Sequence, residues 1–139
     1  MRRLVLLLCC LLCPLDPAYA ADGPRDAAPA CHAQADTWVP FDRLCIAADN
    51  YRADVCRAIE RLAARWSLPE GFLARLIWQE SRFDPNAVSP AGAEGIAQFM
   101  PSTARLRGLR SSFNPAEALA RSAEYLALLK AGFGNLGLA

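Results

Sequence analysis

One glutamate, Glu80, ends an apolar helical pattern at a position where a carboxylate is unusual. Phe72, Leu76 and Glu80 are spaced four residues apart, so a helix would place all three on one face. Apolar neighbours disfavour the charged form of a carboxyl group and raise its pKa. A carboxyl group that stays protonated near neutral pH can donate a proton to a leaving group. The spacing therefore makes Glu80 a candidate general acid.

The same spacing also fits a simpler interpretation, in which Glu80 ends the apolar face and extends into water. Aspartate and glutamate are seldom buried without a partner, and a helix predicted from sequence is uncertain in its boundaries. The residues that follow Glu80 decide between the two interpretations. Residues 80–85 are Glu-Ser-Arg-Phe-Asp-Pro, residues 89–93 are Ser-Pro-Ala-Gly-Ala, and residues 95–104 are Gly-Ile-Ala-Gln-Phe-Met-Pro-Ser-Thr-Ala.

This ordered string resembles the core motif of the soluble-type lytic transglycosylases, which share a fold with the goose-type lysozymes. The resemblance runs from about residue 68 to the end of the chain and keeps the family's spacing without a gap. It implies an all-α, lysozyme-like domain that binds peptidoglycan glycan strands, with Glu80 as the catalytic residue. No metal or organic cofactor is implied.

The resemblance also assigns three substrate-binding residues. Ser89 matches a loop serine that hydrogen-bonds the glycan, Gln98 matches a glutamine in the cleft, and Met100 matches a methionine that packs against a sugar ring. Each has a structural alternative. Ser89 could supply a turn hydroxyl before Pro90, Gln98 could be a surface helix residue, and Met100 could fill the core.

The family reaction that the resemblance implies cleaves the β-1,4 bond between N-acetylmuramic acid and N-acetylglucosamine. Glu80 would protonate the glycosidic oxygen, and the C6 hydroxyl of muramic acid would close a 1,6-anhydro ring. A goose-lysozyme-like hydrolase would instead need a second carboxylate to activate water. Asp84 and Glu94 are the nearest candidates, but a turn role for Asp84 and an exposed position for Glu94 are the expected ones.

Helical periods dominate residues 45–139, which we expect to form the catalytic domain. A helix is predicted from about residue 49, with an apolar face formed by Tyr51, Val55, Ile59, Leu62 and Trp66. Further helices are predicted over 69–82, through Gln98, over 101–107 and over 114–130. No hairpin signal of the Asn-Gly or Asp-Gly kind is present.

The first 44 residues are predicted to comprise a signal peptide and a flexible segment that precede the catalytic domain. Residues 1–20 combine Arg2 and Arg3, an apolar run and Ala18-Tyr19-Ala20, which predicts a cleavable secretory signal peptide and a periplasmic protein. We expect no stable membrane insertion after cleavage. Residues 21–44 lack periodicity and are predicted to be flexible. The remaining charges balance, which gives no reason to expect nucleic acid as a partner.

Three cysteines follow the predicted cleavage site: Cys31, Cys45 and Cys56. Export favours one disulfide, and three pairings are open. Cys56 could also be a small buried hydrophobic residue. His32 is the only histidine, and zinc-ligand spacings are absent, so no metal site is predicted.

The sequence ends where the family continues into a further helix and an Ala-Tyr-Asn-Ala-Gly motif. We therefore expect a domain that is incomplete at its C-terminus. Three functions stay open at this point: a lytic transglycosylase, a goose-lysozyme-like hydrolase, and a non-catalytic glycan-binding or pseudoenzyme fragment.

Overall fold

Four helices and a two-stranded hairpin make up the part of the protein that a computed structural model describes, residues 31–36, 43–69 and 71–137. The predicted signal peptide, residues 1–20, lies outside the described residues. In chain order the elements are β1 (Cys31–Asp36), β2 (Arg43–Ala47), α1 (Tyr51–Arg65), α2 (Phe72–Ser81), α3 (Pro101–Leu106) and α4 (Pro115–Phe133). Within the described residues, none of the helices combines the length and hydropathy that crossing a bilayer needs.

Helix α1 follows the predicted amphipathic pattern. Val55, Ile59 and Leu62 are buried, while Tyr51 and Trp66 pack against the core from its margin. The arginines of the opposite face are exposed. Burial of this apolar stripe is what holds the helix on the domain, because a helix of this length is marginal by itself.

Helix α4 begins with the predicted cap. The Asn114 side chain accepts a hydrogen bond from the Glu117 amide at 3.2 Å, and Pro115 occupies the first turn. Leu119 and Leu126 are buried, as expected, and Leu119 has no exposed surface. The helix runs three residues beyond the predicted end and stops at Gly134, which adopts a left-handed conformation with φ of 78°.

The hairpin is the main correction to the sequence analysis. β1 and β2 pair antiparallel, with an irregularity between Cys31 and Ala33, and the flexible state predicted for residues 21–44 is wrong for residues 31–36 and 43–44. Leu44 and Ile46 of β2 are buried and join the helical core. Within the described residues, burial of β2 and a disulfide between the strands stabilise the pairing, and neither leaves a turn signal in the sequence.

The disulfide joins Cys31 to Cys45, with their Cα atoms 5.2 Å apart, and this selects one of the three open pairings. It links the two strands across the hairpin. The third cysteine, Cys56, is a free thiol on the exposed side of α1, so the alternative of a buried Cys56 is wrong.

Residues 82–100 form an irregular loop between α2 and α3. Arg82 and Phe83 both have positive φ and end α2 sharply. Isolated β-bridges then pair Glu94 with Val88 on one side and with Phe99 on the other. The predicted short helix through Gln98 is wrong, because Gly95 and Gln98 have φ of 74° and 48° and the chain turns back on itself there.

Gly95 holds this loop against the segment that precedes α4. A Cβ atom built on Gly95 would lie 1.8 Å from the Ser112 carbonyl oxygen, which is far inside van der Waals contact. The two backbones approach so closely that only glycine fits, quite apart from the positive φ. Gly92, in the same loop, also has a positive φ of 84° but would meet no atom within 4 Å.

These two glycines allow backbone strain to be separated from steric contact. Gly92→Ala should destabilise the protein by about 1–2 kcal/mol, the usual cost of a left-handed L-residue. Gly95→Ala should add a further overpacking cost of about 1–3 kcal/mol, because backbone rather than a flexible side chain blocks the new methyl group. Thermal or urea unfolding of the two variants measures the difference. Equal destabilisation would contradict the packing role of Gly95.

Candidate active site

Helix α2 sets the direction of Glu80. Leu73 and Ile77 have no exposed surface, and their burial fixes the rotation of the helix against the core. Phe72, Leu76 and Glu80 then lie together on the neighbouring flank, as the spacing predicted. The helix begins at Phe72, after the left-handed Gly71, rather than at Pro69, and it ends at Ser81.

This flank of α2 forms one wall of an open groove of about 290 Å³. Residues from α2, the loop, α3 and α4 line it. They are Phe72, Leu76, Glu80, Ala97, Gln98, Phe99, Met100, Thr103, Ser122, Tyr125, Leu126 and Leu129. The lining is largely apolar with a few polar groups, as is typical of ligand sites. The groove therefore unites Glu80 with two of the three predicted binding residues, Gln98 and Met100.

The Glu80 side chain is exposed, so it extends towards water from the apolar flank of α2 rather than into the core. The apolar lining nevertheless surrounds the carboxyl group on the groove side. This partial desolvation raises the pKa of Glu80 above its ordinary value. Solvent access and a raised pKa are compatible. The exposed side of the carboxyl group can be reached by a substrate, while the apolar wall on its other side disfavours the charged form.

Ser81, the residue after Glu80, fastens the helix to the loop. Its hydroxyl donates a 2.6 Å hydrogen bond to the carbonyl oxygen of Ile96, and Ile96 itself is fully buried. The end of α2 and the turn that carries Gln98 are therefore held together directly. Ser81 follows Glu80 in the family motif, but the motif itself gives no indication of this long-range bond.

Gln98 lies in the groove with its side chain partly committed to the loop. Its Nε2 atom donates hydrogen bonds to the carbonyl oxygens of Gly95, at 3.0 Å, and Ala87, at 3.2 Å. These bonds stabilise the left-handed conformation of Gln98 and fix where its amide sits. The alternative of a surface helix residue is wrong, since no helix forms at this position.

Ser89 and Met100 occupy different environments. The Ser89 hydroxyl accepts a hydrogen bond from the Ala93 amide at 2.9 Å, and Ser89 is not among the residues that line the groove. The turn role is thus the one the geometry displays for Ser89. Met100 is 42% exposed and lies at the groove, immediately before α3, so it is not core filler.

Tyr125 is a groove residue that the sequence analysis did not single out. The Arg107 guanidinium carbon lies 3.9 Å from the centre of its ring, a cation–π contact that supports the ring from one side. Ser122, Tyr125 and Leu129 follow helical spacing on α4, and all three line the groove. That periodicity was available in the sequence, but nothing in it distinguished a groove flank from a core flank.

Neither alternative carboxylate lies in the groove. Asp84 accepts a hydrogen bond from the Asn86 amide at 2.8 Å, which is the turn role expected for it. Glu94 is half-buried rather than exposed, and it lines a different cavity behind the loop. In the part of the chain that the structure describes, Glu80 is the one carboxylate that lines this groove.

Comparison with known proteins shows the family to which the chain belongs. The sequence profile of the Transglycosylase SLT domain family matches residues 57–139. The chain belongs to this family. Its helical, lysozyme-like fold and its resemblance to lytic transglycosylases are thereby confirmed.

The curated relatives are longer proteins. Membrane-bound lytic murein transglycosylase F 2 of Alkalilimnicola ehrlichii is 35% identical over 71 residues, which cover 51% of this chain and 16% of that protein. Membrane-bound lytic murein transglycosylase C of Histophilus somni is 35% identical over 83 residues, covering 52% and 23% respectively. The chain thus spans less than a quarter of the length of either relative.

Among solved structures, the domain is similar to lytic transglycosylase Slt of Pseudomonas aeruginosa, crystallised as an inactive glutamate-to-glutamine mutant. The TM-score is 0.52 and the sequence identity is 26%, over 57% of this chain and 14% of that one. The likeness covers just over half of this chain and a small part of the longer protein.

The raised pKa of Glu80 has a measurable consequence for stability. Below the pKa of the unfolded state the carboxyl group is protonated in both states and carries no penalty. As pH rises through the higher folded-state pKa, ionisation costs the folded protein more than the unfolded chain, so stability falls. Glu80→Gln should therefore melt no lower than the wild type near pH 4 and higher near pH 7.

Two measurements check this. Side-chain carboxyl NMR should give Glu80 a pKa above the ordinary value for a glutamate, because the apolar lining disfavours the charged form. The melting temperatures of Glu80→Gln and the wild type should differ more near pH 7 than near pH 4. Glu60→Gln carries the same change on the exposed face of α1 and is the control, which should melt with the wild type. A Glu80 pKa at or below the ordinary value for a glutamate would contradict a desolvated carboxyl group.

Proposed function

We propose that the protein is a peptidoglycan lytic transglycosylase in which Glu80 acts in turn as general acid and general base. The observation that carries the proposal is a groove of the SLT domain in which Glu80, its pKa raised by desolvation, is the carboxylate among the lining residues described. The names of the relatives, which act on murein, support the same substrate class.

The chemistry follows from one proton and one internal nucleophile. Protonated Glu80 donates its proton to the glycosidic oxygen as the bond to C1 of muramic acid breaks, which avoids an alkoxide leaving group. The N-acetyl group of the substrate stabilises the positive charge that develops on the ring. The Glu80 carboxylate then removes the proton of the C6 hydroxyl, and that oxygen bonds to C1 to give a 1,6-anhydro sugar.

This sequence regenerates protonated Glu80 and consumes no water. Holding the nucleophile within the substrate gives it a high effective concentration, so no protein group is needed to activate a water molecule. An inverting or retaining hydrolase uses two carboxyl groups that flank the bond. Asp84 is committed to a turn and Glu94 lines another cavity, so the described groove supports the single-acid reaction better.

The other proposed roles are positional. Gln98, with its amide anchored through Nε2, and Met100, at the groove margin, would contact the sugars next to the cleaved bond. Ser89 would contribute by shaping the loop, and any glycan contact would add to that role. We also propose that residues 1–20 direct export, which would place the protein in the periplasm with its substrate.

The experiment is turnover of purified peptidoglycan sacculi by the protein and two matched variants. Glu80→Gln keeps the shape of the side chain but has no acidic proton, and release of muropeptides should fall by roughly a hundredfold to ten-thousandfold. Glu60→Gln, an equal change on the exposed face of α1, should leave release unchanged. Circular dichroism and sedimentation with sacculi report folding and glycan binding.

The outcomes separate the remaining functions. Equal activity of Glu80→Gln and the wild type would contradict the catalytic role of Glu80. Binding of sacculi without release by the wild-type protein would contradict the enzyme and favour a glycan-binding module. The groove itself would then be the binding surface.

A further inference from the structure

A second cavity, here called the rear cavity, lies behind the loop wall of the Glu80 groove. It has a volume of about 260 Å³ and is bounded by Glu94, by α3 and by residues 109–113. One stretch of chain, residues 94–105, separates the two spaces. Gln98 and Thr103 of that stretch line the groove, while Glu94 and Arg105 line the rear cavity.

The rear cavity carries separated charges of both signs. Glu94 provides a carboxylate, and Arg105 and Arg110 provide guanidinium groups. Across the described residues, no ion pair or hydrogen bond occupies the side chains of Glu94 and Arg105, although both face this one small space. Two opposite charges that line the same cavity without pairing leave both available to a ligand.

Arg110 is held in place differently. Its Nε atom donates to the buried carboxylate of Glu117 at 3.2 Å, and its backbone amide donates to the same oxygen at 3.1 Å. This anchor fixes the position of the guanidinium group while the side chain remains 73% exposed. An anchored arginine loses less conformational entropy on binding a carboxylate, and its planar group suits bidentate recognition.

These charges select the class of ligand. A simple anion would meet the Glu94 carboxylate, and a simple cation would meet two arginines, so each would be repelled by part of the lining. A group with an ammonium and a carboxylate on the same carbon atom satisfies both sides. The volume lies just below the roughly 300–1,000 Å³ of pockets for drug-sized ligands. That size fits one amino-acid group, and Phe113, 42% exposed, offers an apolar surface for its methylene chain.

We propose that the rear cavity binds a zwitterionic amino-acid group of the peptide side chains of peptidoglycan. The ammonium would lie at Glu94 and the carboxylate at Arg105 and Arg110. The inference rests on the proposed function, because the glycan in the Glu80 groove is what would bring its peptides to the far side of the 94–105 segment. The same loop would then contact sugar on one face and peptide on the other.

The test is an NMR titration of the isotope-labelled protein with an N-acetylated tripeptide that ends in meso-diaminopimelic acid, whose side chain carries a free zwitterion. Shifts should appear at the amides of Arg105, Ser112 and Phe113. Acetylating the side-chain amine or amidating its carboxylate should weaken binding roughly tenfold or more, because each change removes a charged hydrogen-bond partner. Glu94→Gln and Arg105→Gln should each weaken binding of the unmodified peptide by a similar factor.

Arg52→Gln, on the exposed face of α1, is the matched control and should bind as the wild type does. Thermal melts of all three variants verify folding. A parallel titration with chitotetraose measures glycan binding in the groove through the amides of Gln98 and Met100. If the sugar changes the chemical shifts of these groove amides but the peptide does not change those of the rear cavity, the inference is overturned and the proposed function stands. If the peptide changes the chemical shifts of the rear-cavity amides but the sugar does not change those of the groove, the zwitterion site stands and the proposed function is contradicted. Equal binding of the unmodified and blocked peptides would overturn the charge-based recognition.

Discussion

The hydrogen bond from the Ser81 hydroxyl to the Ile96 carbonyl joins the two halves of the candidate site. One half is α2, which carries Glu80, and the other is the loop turn that carries Gln98. Because Ile96 is fully buried, its carbonyl would be costly to leave without a partner, and Ser81 supplies that partner from the adjacent helix. The relative placement of acid and amide thus depends on a bond made by the residue beside the acid.

A second constraint extends this connection to the far side of the domain. Gly95, next to Ile96, packs its backbone against the Ser112 carbonyl, and the Asn114 cap of α4 follows two residues later. The loop is therefore held between α2 and the start of α4. Positive φ values at Phe83 and Gln98 show that the chain accepts local backbone strain here, as functional loops often do.

The sequence predicted what depends on local periodicity. Spacing placed Glu80 on the flank shared by Phe72 and Leu76, and it identified the α1 face and the Asn114 start of α4. The ordered motif predicted the family and placed Glu80, Gln98 and Met100 at the groove, whereas Ser89 lies outside its lining.

Features that depend on long-range contact escaped prediction. The hairpin is held by the Cys31–Cys45 bond and by burial of Leu44 and Ile46, and neither leaves a turn signal. Gln98 leaves the helical region because its amide bonds to Gly95 and Ala87, contacts that only the folded loop creates. The Arg107 support behind Tyr125 joins two residues 18 positions apart, which no periodicity reveals.

The central claim is that a single carboxyl group in the groove performs both proton transfers, so that the substrate supplies its own nucleophile. Mass spectrometry of the muropeptides released from sacculi tests this most directly, since a 1,6-anhydro product lacks a reducing end and is lighter by one water than a hydrolytic product. Anhydro ends are expected as the main product. Predominantly reducing ends would mean that a second group activates water, and would contradict the mechanism with a single carboxyl group.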